Sequence, residues 1–151
     1  MTTLNNIISD FIQIQHATSA GINMHSKLRQ IIIDNNTHVG DKQIIQKILS
    51  TPSLPDFFGP TSKTEVPIAG TIHNRFISRR IDRLNINHDT KTISILDYKT
   101  DTNRHQFYND YINQINEYAT LLHNIYPNYR ILGYILWTHD FSLENIQIKP
   151  L

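Results

Sequence analysis

The chain has 151 residues, 39% of them hydrophobic and 18% charged, with a formal net charge of +1. That is an ordinary globular composition for one domain, and it excludes a global basic field, so any nucleic-acid contact must come from local patches. Cysteine is absent, which excludes disulfides, thiolate zinc sites, iron–sulfur clusters and cysteine nucleophiles.

Leu4, Ile7, Ile8, Phe11, Ile12 and Ile14 recur at near-helical spacing and predict a first amphipathic helix over 4–15. Ile22, Met24, Leu28, Ile31, Ile32 and Ile33 predict a second, on which Gly21, His25 and Leu28 lie near one another. The stretch 34–40 is turn-like. Asp41 is the expected N-cap of a third helix through Leu49, with Ile44, Ile45 and Ile48 inward. Residues 51–60, with Pro52, Pro55 and Gly59, read as a loop.

From Thr64 the period changes. Glu65 to Ile72 predicts a strand, at an edge or with a bulge because of Pro67. Asn74 to Ile86 predicts a second strand, with Phe76, Ser78, Arg80 and Asp82 on one face and Ile77, Arg79, Ile81 and Arg83 on the other. The alternation is imperfect, so a bulge or twist is expected there. A glycine-free turn, His88-Asp-Thr-Lys91, leads to a third strand, Ile93-Ser-Ile-Leu-Asp-Tyr-Lys-Thr-Asp101. Phe107 to Ile125 predicts the longest helix, with Tyr111, Ile115, Tyr118, Ala119 and Leu122 as its apolar stripe and Pro127 as its stop. The near-continuous apolar run Arg130 to Trp137 reads as a strand buried on both faces, parallel to the third. Asn145 to Lys149 alternates as a last edge strand. The expected fold is a single α/β (α+β) domain over 1–151. It has a helical part over 1–50, then a catalytic sheet and helix over 64–151: an antiparallel meander plus a parallel strand, flanked by helices.

Asp97 and Lys99 share a strand face. A carboxylate beside an ammonium is either a salt-bridged pair at a strand end or an acid and cation poised for a divalent metal and an oxyanion. Asp82 has the same two readings: a salt bridge to Arg80 or Arg83, or a metal ligand with Asp97. In the second reading the Tyr98 carbonyl adds an oxygen and His25 a neutral nitrogen, and the site is a metal-dependent phosphodiesterase.

Ile81-Asp82-Arg83-Leu84, Ile95-Leu96-Asp97-Tyr98-Lys99-Thr100-Asp101 and Gln114-Ile-Asn-Glu-Tyr118 together resemble the PD-(D/E)xK nuclease pattern in its RecB-like branch. The similarity is closest to the C-terminal nuclease domain of AddA-type helicase–nucleases of double-strand-break repair, in its alphaproteobacterial form. Gly21 to Leu28, Phe58 to Ile68 and Leu136-Trp-Thr138 carry it further, so that it runs from about Ala20 onward.

The resemblance implies a restriction-endonuclease-like core and a Mg²⁺-dependent deoxyribonuclease, with Mn²⁺ as a substitute. His25, Asp82, Asp97 and the Tyr98 carbonyl would be metal ligands. Lys99 would be the catalytic lysine. Gln114 and Tyr118 would pack by the site, against the DNA backbone or the catalytic residues, Tyr118 equally serving the core. Glu65 aligns with an acid of the family, in a structural role or a metal contact. Implied partners are DNA, as single-stranded ends, and an AddB-like or helicase subunit.

One position departs from the pattern: its glycine falls at 79, where this chain has Arg79, a side chain expected to crowd the site or the substrate path. The phosphate-binding G-x-x-x-x-G-K-[ST] loop of the motor is also missing. The chain is therefore expected to be a separated domain, a small nuclease or a fragment of a split helicase–nuclease. Two rivals follow: a non-catalytic DNA-binding or docking module, and a metal hydrolase of other phosphoesters. The latter leaves Gln114 and Tyr118 unexplained. Lys27, Arg29, Arg79, Arg80, Arg83 and Arg104 are candidate phosphate contacts or a solvated basic face. No apolar run reaches the ~20 residues of a membrane span, and the start lacks a basic leader, so a cytoplasmic protein is expected.

Overall fold

The structure is a computed structural model, described here over residues 19–149; the predicted helix over 4–15 lies outside them. These residues form an α+β fold whose centre is a five-stranded mixed sheet with one parallel pair. In chain order come α1 (Ser19–Gln30), β1 (Ile32–Ile33), β2 (His38–Val39), α2 (Lys42–Leu49), a 3₁₀ turn (Pro55–Phe58), β3 (Lys63–Ile72), β4 (Arg75–Asn87), β5 (Thr92–Lys99), α3 (Tyr108–Ile125), β6 (Arg130–Trp137) and β7 (Ser142–Ile146). The large sheet runs β3-β4-β5-β6-β7; only β5 and β6 are parallel. β1 and β2 make a separate antiparallel pair.

Two core layers sandwich the sheet. On one side Leu28 and Ile31 join Ile44, Ile45 and Ile48 of α2 over Leu96, Tyr98 and Leu136. On the other, Tyr118, Ala119, Leu121 and Leu122 of α3 cover Ile77, Ile81, Leu84, Ile93 and Ile95. Tyr111 and Ile115 continue that layer onto Ile135 and Trp137. β5 and β6 thus bury both faces, as their apolar runs require. α3 approaches the sheet closely at two glycines. A Cβ on Gly70 would stand 2.6 Å from Leu121 Cδ2, and one on Gly133 2.6 Å from Ile115 Cγ2.

Asp41 caps α2 as expected: its carboxylate accepts the N–H groups of Gln43 (3.0 Å) and Ile44 (3.1 Å). The three inward isoleucines are buried, each contributing about 1.5–3 kcal/mol by area. α3 ends at Ile125, two residues before Pro127.

Several expectations need correction. Ile32 and Ile33 leave the helix and pair with Val39 and His38; three consecutive β-branched residues suit a strand better than a helix end. The loop over 51–60 contains a 3₁₀ turn that buries Phe57 and Phe58. The last strand is Ser142–Ile146, three residues earlier than its alternation placed it. β3 is an edge strand, as Pro67 required, but no bulge residue is inserted, since the register with β4 is constant from Lys63↔Leu84 to Ile72↔Arg75.

The irregularity in β4 takes another form. The β3–β4 ladder skips the Glu65–Asp82 rung, and Glu65 lies at φ 52°. Across that skip the faces exchange: Ile77 and Ile81 pack under α3, whereas Arg83 turns to the α1 side. Ile81 and Arg83 therefore do not share a face. The same point marks a fork. β4 and β5 pair only as far as Arg83↔Leu96, after which β4 continues with β3 alone.

Candidate active site in the fork between β4 and β5

Asp82 occupies the fork. Its Oδ2 accepts the Tyr98 backbone N–H at 2.8 Å, replacing the next rung of the ladder. Its Oδ1 lies 3.9 Å from His25 Nδ1 on α1. Neither predicted salt bridge forms: Arg80 stands 3.6 Å from Glu65 instead, and Arg83 points to the opposite face.

Asp97 is buried on the α3 side and adjoins Asp82. Lys99, two residues on and on the same face, brings Nζ to 2.6 Å from Asp97 Oδ2. That contact is a close, buried ion pair. Lys99 Nζ also donates to Gln114 Oε1 at 2.9 Å. Gln114 Nε2 donates to the Tyr118 hydroxyl at 2.7 Å, and that hydroxyl donates to the Arg80 carbonyl at 3.2 Å. This relay runs from Asp97 through one turn of α3 back to β4. Its polar ends orient the amide.

The electrostatics follow from burial. The Asp82 carboxyl is pushed well above the usual carboxylate range, first by burial and then by the Asp97 charge; Lys99 and the Tyr98 N–H oppose this. His25 is held below its usual value by burial, with Lys99 adding to that effect and Asp97 opposing it. At neutral pH it therefore presents a neutral imidazole, edge-on to Tyr98 with ring centroids 5.4 Å apart.

The donor set fits a hard divalent cation. Two carboxyl groups adjoin, one of them ion-paired to Lys99, and a neutral imidazole stands beside them. The Tyr98 carbonyl faces the same fork, because the next carbonyl along β5, that of Lys99, turns the other way to accept Thr138 N. Among the described residues, however, no three His, Cys, Asp or Glu side chains already stand as a metal-holding group.

Glu65, next to the fork, is engaged by Arg80. Arg79 Nε lies 3.4 Å from Glu117 on α3, which also binds Arg75 at 3.1 Å. Two residues have larger parts than their sequence positions implied. Tyr111, read only as apolar stripe, places its ring 4.2 Å from Lys99 Nζ, and its hydroxyl bonds Asp101; its place three residues before Gln114 on one helix face was the available signal.

Arg83, read as a phosphate contact or a partner of Asp82, is a buried strut. It donates to the Tyr98 hydroxyl (2.9 Å), Ser62 Oγ (3.0 Å), the Leu28 and Arg29 carbonyls in the last turn of α1 (2.8 and 3.4 Å) and the Ile31 carbonyl just past it (3.3 Å). Its guanidinium lies over the Phe58 ring at 4.2 Å. Most other candidate phosphate contacts also have an acid nearby: Lys27 has Asp41 and Arg104 has Asp140.

No model of a known protein family matches the sequence, and no curated protein matches it.

Proposed function

We propose that this protein is a divalent-cation-dependent deoxyribonuclease of the PD-(D/E)xK, RecB-like type, built on a restriction-endonuclease-like core. It hydrolyses phosphodiester bonds of DNA ends in double-strand-break repair or recombination, in the cytoplasm. The observation that carries this reading is the pairing of Asp82 and Asp97 in the fork, with Lys99 held between Asp97 and Gln114.

Asp82, Asp97, the Tyr98 carbonyl and His25 would hold Mg²⁺, or Mn²⁺ in its place. When bound, the cation supplies Lewis-acid charge at the scissile phosphate. Lys99 gives one N–H to Gln114 and stands on a stem fixed by Tyr111 and Gln114, so its charge and remaining N–H groups orient the attacking water and stabilise charge on the phosphate oxygens. Gln114 and Tyr118 act through Lys99: they set where its ammonium stands. Glu65 holds Arg80 at the rim.

A second reading is a nuclease-fold module that binds DNA or docks on a helicase or AddB-like subunit without cutting. Arg79 at the pattern's glycine position and the absence of a preformed three-residue ligand group among the described residues favour it. The test is degradation of end-labelled single-stranded DNA by wild type and Asp97→Ala, with Mg²⁺ and with EDTA. Cleavage by wild type in Mg²⁺ alone is expected. Cleavage in EDTA, or undiminished cleavage by Asp97→Ala, overturns the reading.

A further inference from the structure

Beyond the fork, β3 and β4 continue as a two-stranded arm. Its α3-facing side is covered by Ile68, Ile72, Ile77 and Ile81. Among the described residues its other side is bare: Pro67, Ala69 and Thr71 of β3 and Phe76, Ser78 and Arg80 of β4 are all exposed. Cross-strand pairing places Phe76 opposite Thr71, Ser78 opposite Ala69 and Arg80 opposite Pro67. The face is thus a floor of small side chains with an aromatic ring at one end and a guanidinium at the other. The ring is the most exposed large hydrophobic among the described residues, at 68%.

We infer that this bare face is a track for single-stranded DNA leading to the fork, with a base stacked on Phe76 and the backbone held by Arg80. The inference rests on the nuclease reading above. Three features of the face support this occupant. It ends at the fork, where Arg80 pairs with Glu65 and Asp82 meets His25 of α1 on the side away from α3; Phe76 lies about 20 Å from Asp82 along the strand. The Arg80 side chain is 67% exposed and pairs with Glu65 at 3.6 Å; a pair so solvated is weak, and a phosphate displaces it at small cost. An exposed aromatic in line with a cation is the arrangement that binds single strands without sequence preference, since every base has a face to stack. The small residues between them let a strand lie close to the sheet.

The test is fluorescence anisotropy of a labelled 20-residue oligothymidylate on the whole chain, with cleavage of the same DNA in Mg²⁺ as a parallel readout. Phe76→Ala is expected to weaken binding about 5- to 150-fold, the range of one lost base stack, while leaving the salt dependence of binding unchanged. Phe76→Trp is expected to restore binding. Arg80→Ala is expected to lower the salt slope by about one phosphate contact. Wild type that cleaves DNA while Phe76→Ala binds as wild type overturns the track and leaves the nuclease reading standing. Wild type that neither binds nor cleaves overturns both. Self-association abolished by Phe76→Ala, with DNA binding intact, assigns the face to a protein contact and also overturns the track.

Discussion

Asp82 accepts the backbone N–H of Tyr98 where β4 and β5 stop pairing, at 2.8 Å. The side chain therefore has two duties. It closes the end of a ladder, and it holds a carboxyl against Asp97 in a buried site that disfavours its charge. The two duties separate by mutation. Asp82→Asn keeps an acceptor for Tyr98 and removes the like charge. In cation-free buffer at neutral pH it is expected to unfold at a higher temperature than wild type, while losing DNA cleavage. Asp82→Ala leaves a buried N–H without a partner and is expected to cost about 1–3 kcal/mol. Thermal melts of the two variants side by side make the comparison; a lower midpoint for Asp82→Asn than for Asp82→Ala would sink this account of the fork.

Lys99 and Gln114 differ in rank. Lys99→Ala removes the ammonium paired with Asp97, and cleavage is expected to fall about 10²–10³-fold, the scale of one lost electrostatic stabiliser. Gln114→Leu leaves the ammonium but frees its position, so a smaller loss in kcat with little change in KM is expected. Equal losses in the two variants would give Gln114 a direct role that its contacts do not show.

Arg79 pairs with Glu117 on α3 through Nε at 3.4 Å. Replacing it with the glycine of the family pattern is therefore expected to leave cleavage near the wild-type rate. A large gain in Arg79→Gly would mean that the guanidinium does obstruct substrate, and that the side chain leaves Glu117 in solution.

Arg83 ties the end of α1 to the sheet through five acceptors at once. Arg83→Ala is expected to destabilise the fold by at least about 2 kcal/mol, because the carbonyls of Leu28 and Ile31 and the Tyr98 hydroxyl lose their donor together. Arg83→Lys recovers little, since one ammonium cannot span the sites of a planar fork. Urea midpoints measure this; an unchanged midpoint in Arg83→Ala contradicts the strut.

Asp41 carries a pH dependence that can be isolated. Two N–H groups of α2, Ile44 first, hold its carboxyl below the usual 3.8. The folded value is the lower one, so the cap stabilises above 3.8 and that contribution fades as pH falls through the folded value. Asp41→Asn caps the helix without titrating, and its stability is expected to lose this acid-limb slope. An identical slope in both proteins would remove Asp41 from the acid response.

Much of this fold is legible in the residues themselves. The cap at Asp41, the stripe on α3 and the doubly buried β6 each follow from local chemistry: a carboxylate before an apolar repeat, a 3.6-residue period, a continuous apolar run. Asp97 and Lys99 share a face because strands alternate. The alternation rule failed at Asp82, since a skipped rung at Glu65 exchanges the faces of β4, and nothing in the residue types around it forces that skip. Arg83 was misread for a related reason. A basic residue in a polar-looking strand resembles a solvated cation until the carbonyls at the end of α1 are seen to surround it. Ile32 and Ile33 show the limit of periodicity, for three successive isoleucines satisfy a helix template and a strand template alike.

The central claim is that Asp82 and Asp97 act as a pair on one divalent cation. Calorimetric titration of the DNA-free protein with Mn²⁺ tests it most directly. Wild type is expected to bind at millimolar or lower concentration, and Asp82→Asn and Asp97→Asn are each expected to abolish the signal while remaining folded. Undiminished Mn²⁺ binding in either variant, or none in the wild type, would contradict it.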